Sequence, residues 1–157
     1  MLLHHFVIVS KAAKDYSVRR EWRHFDDLDT LHRQSVTLHD DLIQYLSDSL
    51  DRIPCFNPST QTYQQGLSRY GISVITTVEA VTAGEVFNAW ARLFAAGPQN
   101  LHLTGSYPYC DGNPDSGKRQ DLAFDRDEIV ATLTALSSMC ERVSRGNHAE
   151  YLLHLGI

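Results

Sequence analysis

Two ligand-binding patterns overlap in the stretch Gly105–Asp121, GSYPYCDGNPDSGKRQD. Gly112-Asn-Pro-Asp-Ser-Gly117-Lys118 has the glycine and lysine spacing of a phosphate-binding P-loop. In such a loop, backbone N–H groups cradle phosphates and a Ser or Thr after the lysine holds magnesium at a helix start. Here Arg119 stands in the hydroxyl position, and Tyr107-Pro-Tyr-Cys separates the loop from the preceding apolar segment. Asp111-x-Asn113-x-Asp115 has the opening spacing of a calcium loop. That loop needs a glycine at its sixth position and a bidentate Glu at its twelfth. Ser116 and Leu122 occupy those places. The stretch therefore reads as a long polar turn with Tyr107, Tyr109, Asp111 and Asp115 on offer to a partner, because long loops in compact domains are often functional.

Thiol and imidazole chemistry has no local signature either. Cys55, Cys110 and Cys140 are odd in number and share no C-x-x-C spacing, so reduced thiols are expected. The eight histidines form no H-E-x-x-H and no His/Cys ligand spacing. No metal or cofactor is expected. A nucleophile assembled in space from Cys, His and Asp residues leaves no mark in sequence.

The elements that would position these groups follow from periodicity. LHHFVIVS, Leu3–Ser10, predicts a first strand. Leu28, Leu31, Leu38, Leu42, Tyr45, Leu46 and Ile53 share one face of a helix predicted over Asp26–Arg52, with Pro54 as its stop. CFNPSTQTYQQGLSRYG reads as loop, and Ile72–Val78 as a strand. Thr82-x-x-Glu85 predicts a capping box opening a second helix, ended at Gly97-Pro98. Asn100–Tyr107 reads as a short strand. Asp125 caps a third helix carrying Ile129, Leu133, Leu136, Cys140 and Val143. YLLHLGI closes the chain as a strand or apolar strap. This order predicts a single α/β or α+β layered domain over residues 1–157, with a mixed sheet and about three main helices.

Of the 157 residues, 43% are hydrophobic and 21% charged, values typical of a globular protein. No apolar run reaches the roughly 20 residues that span a bilayer, so no membrane association is expected and the cytoplasm is the expected compartment. The formal charge of −5 argues against direct nucleic-acid binding and for a basic partner.

The acid is concentrated. Asp26 to Asp51 contains seven Asp, no Glu and one Arg, Arg33. On a continuous helix Asp40, Asp41, Asp48 and Asp51 would share one arc of roughly 100°. Solvated helix faces usually alternate sign to gain i,i+4 pairs. An unpaired acidic stripe suits a basic partner that covers it.

Four segments taken together, REWRHFDDLDTLH, IPCFNPSTQTYQQGLSRYGI, VFNAWARLFAAGPQNLHLTGSY and YLLHLGI, resemble bacterial immunity proteins of the contact-dependent inhibition and polymorphic toxin type. The resemblance implies a non-enzymatic cytoplasmic protein that binds and silences a cognate toxin domain, often a basic nuclease. It transfers no site residues. The acidic stripe and the long loop then supply the expected toxin-binding residues: Asp40, Asp41, Asp48, Asp51, Tyr107, Tyr109, Asp111 and Asp115. Two alternatives stand beside it, a small cytoplasmic enzyme with a Cys/His/Asp site and a non-catalytic oligomeric binding module.

Overall fold

The computed structural model describes residues 2–10, 35–105 and 119–157. Strand β1 (Leu3–Ser10) lies second from one edge of a six-stranded sheet with β2 (Val36–His39), β3 (Pro54–Asn57), β4 (Thr62–Gln65), β5 (Ile72–Ile75) and β8 (Glu150–Leu155). The strand order is β2-β1-β8-β5-β3-β4. Each pairing is antiparallel, so the layered domain takes its α+β form, with no parallel pair among the described strands. Two short helices, α1 (Asp40–Tyr45) and α2 (Ser47–Leu50), follow β2. Two long ones, α3 (Thr77–Ala95) and α4 (Arg126–Arg145), flank a separate hairpin of β6 (Asn100–Thr104) and β7 (Asp121–Asp125).

Alternation along β1 sets the layers. Phe6 points to the face covered by α3 and α4, with Ile75 and Leu152 beside it. Val7 points to the opposite face, where Val74, Tyr151 and Leu153 form a second cluster. Strand β8 sits between β1 and β5 and is buried on both faces, which is why it reads YLLHL without alternation. Helix α4 buries the expected Ile129, Leu133, Leu136, Cys140 and Val143. The Asp125 carboxylate caps it by accepting the Glu128 N–H at 3.0 Å.

Helices α3 and α4 approach closely at Gly84. A Cβ there would lie 3.2 Å from the Cys140 Cβ, and the Ser137 hydroxyl donates to the Gly84 carbonyl at 3.1 Å. Gly84→Val should therefore wedge the helices apart and cost about 1–3 kcal/mol, the usual range for overpacking. Chemical denaturation measures it, and an unchanged midpoint would show that the helix pair gives way freely.

Three expectations about elements are corrected. The helix over Asp26–Arg52 is not continuous: residues 26–34 lie outside the described residues, and Val36–His39 pair with β1 as a strand. Val36 and Thr37 are β-branched, and the open edge of β1 offers them a ladder that a helix cannot use. The helical remainder begins at Asp40 and breaks at Leu46. Residues 55–65, expected as loop, form the β3–β4 hairpin together with Pro54. Its turn is held by Asn57, whose side chain accepts the Ser59 N–H at 2.9 Å, and by Gln61 at φ 62°. The capping box opening α3 is Thr76/Glu79 rather than Thr82/Glu85, which lie inside the helix. Both pairs have the right spacing, but only Thr76 directly follows a strand. Strand β7 was not anticipated.

Candidate functional site

The surface between α1–α2 and the open end of the β6–β7 hairpin forms a groove of about 700 Å³. Tyr45, Asp48 and Asp51 supply one wall, Thr104, Gly105 and Arg119 the other, and Arg69 lies between. Gly105 and Arg119 are the two described ends of the loop singled out above.

The wall's acidity comes from two residues. Asp48 and Asp51 are exposed, and neither forms an ion pair among the described residues. Asp51 leans over Gly66, where a Cβ would lie 2.6 Å from its Oδ1. Gly66 also has φ +89°, so the position is closed to side chains on two counts. Asp41 is about a third exposed and pairs with His39 at 3.4 Å.

Asp40 departs from the expected stripe. It is 3% exposed, because the strand before it turns the first residue of α1 toward β1. It anchors a buried polar chain. Oδ1 takes the Arg69 Nε–H at 3.0 Å and His4 Nε2 at 2.9 Å. Oδ2 takes Arg69 Nη2 at 2.7 Å and the Gln44 amide at 2.9 Å. His4 Nδ1 meets His154 Nε2 at 2.9 Å, with the rings stacked 5.1 Å apart at 4°. His154 Nδ1 lies 3.4 Å from the Ser73 hydroxyl, which accepts the Ser68 N–H at 2.7 Å. His4, His154 and Ser73 are completely buried.

Donor counting orients this chain. A carboxylate only accepts, so neutral His4 carries its hydrogen on Nε2. Its Nδ1 then accepts from His154 Nε2–H, and His154 Nδ1 accepts the Ser73 O–H. Every buried donor along the chain has an acceptor.

The electrostatics agree with that orientation. Burial by itself would raise the Asp40 pKa, but hydrogen bonds from Arg69, His4 and Gln44 and the guanidinium charge hold it down to about 2. Burial, and secondarily the neighbouring His4 ring, lower His154 to about 3. Ser73, His154, His4 and Asp40 have the residue types of a proton relay. With three of the four sealed from solvent and Asp40 nearly so, no substrate reaches the hydroxyl, and the chain serves as the groove's support.

The two described cysteines, Cys55 and Cys140, are also inside. Cys55 donates to the Gly66 carbonyl at 3.1 Å, and burial raises its pKa. Burial pushes Cys140 up to about 12. Neither is poised as a thiolate. Among the described residues no group of three or more His, Cys, Asp and Glu side chains could hold a metal ion. Among the described residues no helix is long and apolar enough to cross a membrane. Tyr107, Tyr109, Cys110, Asp111 and Asp115 lie outside the described residues.

Of the expected binding residues, the fold thus brings Asp48 and Asp51 to one groove wall, sets Asp41 apart in its pair with His39, and buries Asp40. Sequence reasoning missed His4, His154, Arg69 and Ser73 as a unit. A partial signal existed: His4 shares the strand alternation of Phe6, and His154 that of Leu152, so each points to the helix-covered face. No match to this chain is found among family models, curated proteins or solved structures.

Proposed function

We propose that this protein is a binding module that neutralises a basic partner, a cognate toxin domain, through the groove between α1–α2 and the β6–β7 hairpin. The observation that carries the reading is the pair Asp48 and Asp51: two exposed carboxylates on a concave wall, without cationic partners among the described residues. Unpaired like charges repel one another, and a basic surface seated in the groove relieves that cost. Arg69 does not cancel them, because Asp40 beneath it already takes its charge. The resemblance to immunity proteins of polymorphic toxin systems, and action in the cytoplasm with no cofactor, fit this reading.

The test is titration against the toxin domain encoded beside this gene, with growth rescue as a second readout. Asp48→Lys combined with Asp51→Lys should slow association about tenfold and weaken its salt dependence, since exposed charges act mainly on encounter. Folding should be unchanged, because neither carboxylate is paired among the described residues. Parent-like binding by the double variant would remove the groove as the interface. Failure of the unaltered protein to bind any adjacent toxin would remove the function.

A further inference from the structure

Helix α3 carries an apolar face that points to water. Seven large apolar side chains stand exposed among the described residues, and three of them are on this helix: Val78, Val81 and Leu93, at 71%, 53% and 60% exposure. At about 100° per residue, Val78, Val81, Glu85, Arg92, Leu93 and Ala96 fall within one arc of about 120°, and all six are exposed. The core side of α3 is separate, with Ala80, Ala83, Phe87, Ala91 and Phe94 buried. Core packing therefore does not account for the outer valines and leucine. Local propensity does not either, because valine is a poorer helix former than the straight-chain polar residues.

The two charges on this face are opposite and unmatched. Neither Glu85 nor Arg92 forms an ion pair among the described residues. A groove of about 450 Å³ runs between α3 and α4 beside the face, lined by Val81, Gly84 and Glu85 on one side and by Ser137 and Glu141 on the other. Its second carboxylate, Glu141, is already taken by Arg145 at 2.6 Å. One unmatched anion and one unmatched cation thus remain, seven residues apart on a single helix.

That spacing is self-complementary. Turning α3 end for end about an axis between Asn88 and Ala89 lays Glu85 on Arg92 and Arg92 on Glu85. The same operation sets Val81 against Ala96 and beside Leu93, so apolar residues meet on both flanks of the charges. A patch that is its own complement is the mark of a two-fold interface. Antiparallel alignment also opposes the two helix dipoles favourably. Glu85 and Arg92 sum to zero on a chain of net charge −5, so two copies meet here with little of the repulsion that the rest of the surface carries. A strongly basic or acidic partner finds no excess charge on this face to recognise.

We propose that this face binds a second copy of the chain, with α3 packed antiparallel against α3 across a two-fold axis and two Glu85–Arg92 pairs bridging the copies. The dimer is a property of the protein alone and does not depend on the function proposed above.

Sedimentation equilibrium of the full chain tests it. The unaltered protein should pass from monomer to dimer with a dissociation constant on the order of 10 μM, as expected of a small interface. Glu85→Arg and Arg92→Glu should each weaken self-association about tenfold or more, because like charges then meet at both pairs. Both positions are exposed and unpaired among the described residues, so the variants should fold like the parent. An equimolar mixture of the two single variants should dimerise like the parent, since each pair then joins an Arg of one copy to a Glu of the other. A parent that stays monomeric up to about 1 mM, single variants that dimerise like the parent, or a mixture that stays monomeric each overturns the proposal.

Discussion

Asp40→Ala is expected to destabilise the protein by about 1–3 kcal/mol, the cost of leaving a buried donor without its acceptor. The carboxylate accepts four hydrogen bonds: two from Arg69, one from His4 and one from Gln44. Arg69 is partly exposed and recovers water when released. His4 is completely buried and does not, so its Nε2–H is stranded. Asp40→Asn should cost nearly as much despite its matched shape. Its NH₂ would point at donors, leaving one oxygen where four donors converge. Arg69→Ala should also be costly, because it leaves a buried carboxylate with only neutral donors, and the double variant should lose less than the sum of the two. Denaturant midpoints for the four proteins measure this. An Asp40→Asn variant as stable as the parent would mean that the charge is irrelevant and that only shape is used.

Acid should destabilise the fold in two overlapping stages, and the signs follow from the direction of each shift. The folded protein holds His154 at about 3, against an ordinary value of 6.5. Between those values the unfolded chain binds a proton that the folded chain refuses. This contribution is therefore fully present above about pH 6.5 and is lost progressively below it, towards about pH 3. Asp40 is held at about 2, against 3.8. Its contribution is fully present above 3.8 and disappears as pH falls through about 2, so the slope steepens below about pH 4. Together the two groups amount to several kcal/mol, of the same order as the stability of a typical domain, about 5–15 kcal/mol. Urea titrations at intervals from neutral to acid pH should show the midpoint falling steadily below pH 6.5. A stability that stays flat to pH 4 would mean that His154 accepts a proton in the folded state. His154→Gln should lower stability at neutral pH and flatten the upper part of the acid slope.

The parts of this protein that were legible from sequence are those held by short-range rules. β1 and β8 announce themselves through composition. Helix α4 does so through a 3.6-residue repeat and an Asp cap, both of which act within a single element. The β3–β4 hairpin was less legible: its turn uses Gln61 at positive φ and an Asn57 side chain instead of the Asn-Gly or Asp-Gly signal.

What sequence could not decide was where each aspartate points. Asp40 and Asp48 are two turns apart on any continuous helix and would share a face. Pairing of Val36–His39 with β1, and the break at Leu46, separate them. One is turned onto His4 and Arg69, and the other onto the groove. His4 and His154 are 150 residues apart, and they meet because β1 and β8 are neighbours in the sheet. Strand adjacency is a long-range choice, made by the burial of two faces at once. The residue types, the acid excess and the inward alternation of each histidine were in the sequence. The order of the strands and the break at Leu46 converted them into one neutralised carboxylate inside and two at the surface that are unpaired among the described residues, because only folded proximity decides which charges are matched.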